Sequence, residues 1–209
     1  MTQASADAKL RHDVSLLAHA FRTIIDIYTE VAANTDPSAA LPLLAWATAD
    51  GAAAAARLAA VKDVEAPDSV LPDPPFFDLD RLRSGLHNVL GDADMYNELE
   101  DPRYEDAMVG QESITESILT AVSAYQVGLY YLDNFGPQAA MWWWQYSAMT
   151  VWADRIASAL RNVLLLLSAA HRQGQAQLVH AVAELHRTMI LSANTGAIPV
   201  VTQPAGQNA

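Results

Sequence analysis

The stretch YQVGLYYLDNFGPQAAMWWWQYSA, residues 125–148, decides the fold. At its middle, Phe135-Gly136-Pro137 is both a stop and a start: Gly closes one helix and Pro opens the next. Apolar residues recur at helical intervals on either side. They predict one helix over about Glu112–Asn134 and another from Pro137 to about Arg172. A connection this short makes the two an antiparallel hairpin. Successive helical residues are rotated by about 100°, so Trp142-Trp143-Trp144 sweep about 200° of helix surface. A surface helix normally buries a stripe of about 100°. Either neighbours cover this helix on several sides, or an indole faces solvent as an anchor for a partner.

Working outward, Leu10, Val14, Leu17, Phe21, Ile24, Tyr28 and Val31 alternate spacings of four and three inside a helix predicted over about Asp7–Ala33. That seam serves a coiled coil or a bundle, and the bundle is the reading adopted. Asn34-Thr35-Asp36-Pro37 ends this helix and starts the next, with Asp36 as N-cap and Pro37 at the first helical position. The second helix runs towards Val61 through Trp46 and the small-residue run 51–56, which invites close helix approach. Residues 63–78 carry four prolines and five acids and read as a loop. A short helix follows over about Asp78–Leu90, stopped by Gly91. Residues 92–111 read as an irregular acidic loop, 175–193 as a further helix after Gly174, and 194–209 as a floppy tail. The expected architecture is all-α, a single-domain bundle of five to six helices spanning 1–193 around the hairpin.

With 209 residues and 52% hydrophobic side chains, the chain can bury a substantial core. Two lysines and ten arginines against twenty-four acids give a net charge of −12. Nucleic-acid backbones and anionic lipid surfaces would be repelled, which argues against both as partners. No cysteine is present, which excludes disulfides, thiolate metal sites and cysteine nucleophiles. No leader pattern is evident, the unbroken apolar runs fall short of the ~20 residues of a membrane span, and a cytoplasmic setting is expected. Charge is uneven: residues 63–133 hold sixteen acids and three arginines, whereas residues 134–209 hold two acids and four arginines. The acidic half is either a solvated face or a docking surface for something basic.

Pairing the hairpin about Gly136 sets Tyr130 and Tyr131 near Met141 and Trp142. It also brings Glu116 towards Arg155 and Glu112 towards Arg161 as structural ion pairs. The bland reading is an aromatic cluster and two ion pairs that hold register; the sharper one is a small-ligand pocket. Asp92, Asp94, Glu98 and Asp101 are an alternative oxygen-ligand set for Mg²⁺ or Mn²⁺. Some all-helical nucleotide pyrophosphohydrolases use Glu-x-x-Glu and Glu-x-x-Asp motifs on paired helices for this purpose. Glu98 and Asp101 supply one such spacing; Glu112 and Glu116, four apart, do not supply a second. Neither His180 with Glu184 nor His12, His19 and Asp26 gives three converging ligands. No nucleophile elbow, phosphate-binding glycine loop or dinucleotide fingerprint occurs. No cofactor and no metal are therefore expected.

Several positions resemble a bacterial family known as domain of unknown function 5063. They are Tyr96, Glu100-Asp101-Pro102, Ser113-Ile114, Tyr125, Trp144, Trp152, Ile156 and Ala159-Leu160-Arg161, with Phe21–Val31 and Leu41-Pro42-Leu43-Leu44 in the N-terminal half. The likeness covers most of residues 15–167. It implies a compact helical fold, carries over no activity and leaves function open, and it singles out the Asp101-Pro102 turn and Arg161. The function expected from the sequence is a non-enzymatic module engaging a protein partner or a second copy, through Trp142, Trp143, Tyr130, Tyr131, Glu100 and Asp101. The alternative is a Mg²⁺-dependent nucleotide or phosphoester hydrolase using the acids at 92–116.

Overall fold

A computed structural model describes residues 3–34, 36–99 and 109–172. Six helices make up most of it: α1 (Gln3–Ala33), α2 (Pro37–Ala60), α3 (Asp80–Leu90), α4 (Ile114–Phe135), α5 (Pro137–Ser147) and α6 (Ala153–Ala170). The fold is all-α apart from one short hairpin. The helix expected over 175–193 and the tail at 194–209 lie outside the described residues.

The seam on α1 is the core. Val14, Leu17, Phe21, Ile24, Tyr28 and Val31 are all buried, with Leu10 packed at the edge. They face α2 and α3 with α5 alongside, so the seam serves a bundle. Phe21 stacks on Tyr125 of α4 at 4.3 Å, and Trp144 and Trp152 close around this pair at 5.0–6.3 Å from Phe21. Helix α2 lies against α1 and α6. It holds a 22-residue stretch, Ala39–Ala60, long and apolar enough to cross a membrane. The unbroken apolar runs had pointed the other way, because Asp50 and Arg57 interrupt them. Just over half of its most apolar window is buried inside the fold.

Gly136 is the hinge of the α4–α5 hairpin. Its φ of 88° lies in the region glycine favours, its N–H donates to Leu132 O, and its carbonyl accepts from Ala140 N. The two helices then approach closely. Gly128 lies flat against the Trp144 indole, leaving no room for a Cβ. The Trp144 Nε1–H is directed at Tyr125 O at 3.4 Å, and the Trp143 Nε1–H at Ala124 O at 3.0 Å.

Two expectations are corrected. The helix from Pro137 to Arg172 is divided by a π turn over Ala148–Trp152. Trp144, Ala148, Trp152 and Ile156 are all buried, spaced by four. In a straight α-helix each step of four drifts about 40° around the axis. The wider π turn absorbs that drift, so both tryptophans reach one core. The described residues of the expected irregular loop at 92–111 have regular structure. A 3₁₀ turn (Gly91–Asp94) leads into β1 (Met95–Leu99), which pairs antiparallel with β2 (Val109–Ser113), from Met95↔Ser113 to Leu99↔Val109. Neither strand has the apolar alternation that marks a half-buried strand; Tyr96 of β1 packs against the core and its hydroxyl lies 3.4 Å from Ser117 Oγ.

The hairpin is anchored by Asp94, which is 3% exposed. Its carboxylate accepts from Ser113 Oγ at 2.7 Å and Thr115 N at 2.8 Å, with His87 Nδ1 at 3.1 Å. The Ser113 hydroxyl in turn caps α4 by accepting from Glu116 N at 3.0 Å.

Candidate functional site

Residues 61–79 have no regular structure, yet they are tied to the α4–α5 hairpin along their length. The amide of Gln145 is the main clamp. It donates to Leu58 O, Val61 O and Lys62 O at 3.3–3.4 Å and accepts from Val64 N at 2.9 Å. Carbonyls freed at the end of α2 are thus satisfied by one buried side chain of α5. Farther along, Gln138 Nε2 donates to Glu65 O and Tyr131 Oη donates to Pro72 O at 3.1 Å. Leu71 and Phe77 pack on Val127, Tyr131 and Ala139. Prolines restrict the backbone of this strap, so ordering it costs less entropy.

Between the strap and the hairpin runs a groove of about 780 Å³. Leu119, Ala124, Val127, Trp143 and Val151 give it an apolar lining, and Thr120, Ser123 and Ser147 add hydroxyls. Pro74, Pro75, Phe76 and Phe77 come from the strap; Phe76 is 92% exposed. One end carries charge. Arg83 Nε meets Glu116 at 2.9 Å and its Nη1 meets Asp80 at 3.0 Å, leaving two carboxylates against one guanidinium. The Tyr131 phenol is shifted up, first by desolvation and then by Asp73 and Tyr130.

The expected site residues separate. Tyr131 is buried and meets the ring of Trp143 at 5.8 Å, while Tyr130 leans on Tyr131 and Phe135. Trp142, expected beside these tyrosines, instead stacks on Tyr146 at 5.7 Å and 11°. Helical side chains lean towards their N-terminus, so the indole opposite Tyr131 belongs to a residue beyond Met141 in sequence. Of the three indoles only Trp144 is fully buried; Trp142 and Trp143 are partly covered.

Both expected ion pairs are also corrected. Glu112 pairs with Arg155 at 3.4 Å, and Glu116 pairs with Arg83. Arg161 is exposed and forms no ion pair among the described residues. Glu112 sits on β2, where the chain rises faster per residue than in a helix, and the π turn resets the far side, so counting outward from Gly136 fails. All these pairs are half-exposed and contribute little individually.

The alternative metal set does not assemble among the described residues. Asp94 is buried and engaged with the α4 N-terminus, whereas Asp92 is exposed. The Glu98 side chain, Glu100 and Asp101 lie outside the described residues, and no group of three His, Asp or Glu converges among the rest.

Phe76, Phe77, Arg83 and Gln145 were not among the expected site residues. Two adjacent aromatics in an acidic proline-rich loop were the available signal, since a purely solvated linker has no use for them.

A family model described as Domain of unknown function (DUF5063) matches residues 9–169. No curated protein and no solved structure matches the chain.

Proposed function

As the chain belongs to the DUF5063 family, whose description names no activity, we propose from its geometry that it is a non-enzymatic docking module. The groove between the strap and the α4–α5 hairpin receives a basic, apolar-anchored segment of a protein partner in the cytoplasm. The observation that carries this is Phe76, an aromatic ring left almost wholly in water at the lip of an apolar groove. Trp143 in the wall offers the large, rigid contact area typical of interface anchors.

Charge selects the partner. Asp63, Glu65, Asp68, Asp73 and Asp78 run along the strap, and Asp80 and Glu116 outnumber Arg83 at the groove end. A basic segment is steered in by this field. A second copy, itself at −12, is repelled by it. Hydrolysis with Mg²⁺ has weaker support, because Asp94, Glu112 and Glu116 each already face a donor or a cation.

The test uses the full chain and two fluorescently labelled amphipathic helical peptides with one apolar face, one bearing lysines and one glutamates. Anisotropy should show binding of the lysine peptide, weakening with salt, and little binding of the glutamate peptide. Ser123→Arg, placed in the groove at a half-buried site, should weaken binding at least about tenfold. Equal binding of both peptides, or an unchanged Ser123→Arg, would refute the proposal. A concentration-dependent dimer abolished by Ser123→Arg would make a second copy the occupant and overturn the choice of partner.

A further inference from the structure

A second depression, sharing no lining residue with the groove, lies where the strap leaves α2. It measures about 260 Å³ and is lined by Asp63, Val64, Trp142, Gln145, Tyr146, Met149 and Thr150. Its aromatic wall is the parallel Trp142–Tyr146 stack, with Tyr146 52% exposed and Met149 57% exposed. Its carboxylate is Asp63, which has neither an ion pair nor a hydrogen bond to a described residue. Among the described residues no basic side chain lines it. The backbone here is fixed, because Gln145 bonds to Lys62 O and Val64 N, the two residues flanking Asp63.

Each class of ligand meets this surface differently. Anions are repelled by Asp63. A neutral apolar group gains contact with the rings but takes water from an unpaired carboxylate, an unfavourable exchange. An organic cation satisfies both, since the negative face of an aromatic ring attracts a weakly hydrated positive charge and the carboxylate neutralises it. We propose that the Asp63–Trp142–Tyr146 depression is a binding site for an organic cation with a quaternary ammonium or guanidinium head. The head group comes either from a free small molecule or from a side chain of a partner protein. Gln145 is the positioning residue, holding the carboxylate beside the rings.

The five indole N–H signals of the ¹⁵N-labelled full chain provide the readout, with Trp142 identified by its loss in Trp142→Phe. Choline chloride is titrated against its neutral isostere 3,3-dimethylbutan-1-ol and against sodium chloride at equal ionic strength. A saturable shift of the Trp142 signal with choline alone is expected. It should weaken about threefold in Asp63→Asn and also in Tyr146→Leu, both at the surface and clear of the core. N-acetyl-arginine amide distinguishes the sources: tighter binding than choline points to a partner side chain, looser binding to a free quaternary ammonium. The proposal is overturned if the alcohol shifts Trp142 as strongly as choline, if no probe saturates, or if Asp63→Asn binds choline unchanged. None of these outcomes bears on the groove, whose peptide binding is measured separately.

Discussion

Replacing Gly128 with Ala probes the closest contact in the hairpin. A Cβ there falls well inside contact distance of Nε1, Cδ1 and Cε2 of Trp144, whereas ordinary carbon contacts lie at about 3.5–4 Å. Trp144 is 0% exposed and wedged against Phe21, so the indole has no free volume into which to swing. Relief requires the two helices to separate or the Trp144 hydrogen bond to Tyr125 O to break. Overpacking of this kind costs about 1–3 kcal/mol, and a lost buried hydrogen bond about 1 kcal/mol. Together they imply about 2–4 kcal/mol, offset only slightly by the better helix propensity of Ala. For a chain of this size that lowers Tm by about 5–15 °C. Gly91→Ala is the contrast: unlike Gly128, Gly91 has a positive φ (53°), yet nothing lies within 4 Å of its Cβ. With ψ at −135° it lies outside the left-handed helical well, and Ala should cost about 1–3 kcal/mol from backbone strain alone. Calorimetry with near-ultraviolet circular dichroism distinguishes the two, because only Gly128→Ala should disturb the tryptophan bands. A Gly128→Ala protein with unchanged Tm and tryptophan spectrum would show that the hairpin is not held at this distance, and the packing argument would fail.

Other outcomes follow from single contacts. Gln145→Leu removes every polar tie at the root of the strap and should cost about 1–3 kcal/mol, with faster proteolytic cleavage between residues 62 and 72; equal cleavage rates would refute its role as a clamp. Asp94→Ala leaves Thr115 N and Ser113 without their acceptor and should cost about 2–3 kcal/mol, measured by urea denaturation. Tyr125→Phe deletes a buried hydroxyl with no hydrogen-bond partner among the described residues and should raise stability by about 1 kcal/mol; a lower Tm would mean that the hydroxyl is satisfied in solution. Burial pushes the Tyr28 and Tyr125 phenols above their ordinary value. Above about pH 10 the unfolded chain therefore releases protons that the fold retains. Stability should fall as pH rises beyond that point, and less steeply in Tyr28→Phe. Urea midpoints from pH 9 to 11.5 measure this, and identical slopes for the two proteins would contradict it.

The sequence by itself determined the helices with strong punctuation and a buried stripe. The α1 seam, the Asp36-Pro37 start, the Gly91 stop and the Gly136-Pro137 hinge are local signals, and each occurs where the residues place it. It also determined that three consecutive indoles cannot share one buried stripe, and left open whether neighbours cover them all or one faces solvent. Only the tertiary structure decided which indole is core, which lines the groove and which remains beside Asp63. That choice depends on the lean of side chains across the hairpin and on the π turn, and neither leaves a periodic trace. It decided the ion pairs as well, since Arg83 reaches Glu116 from a helix distant in sequence. The strap became a wall for the same reason: its contacts run to Gln145, Tyr131 and Gln138, at separations no local pattern records.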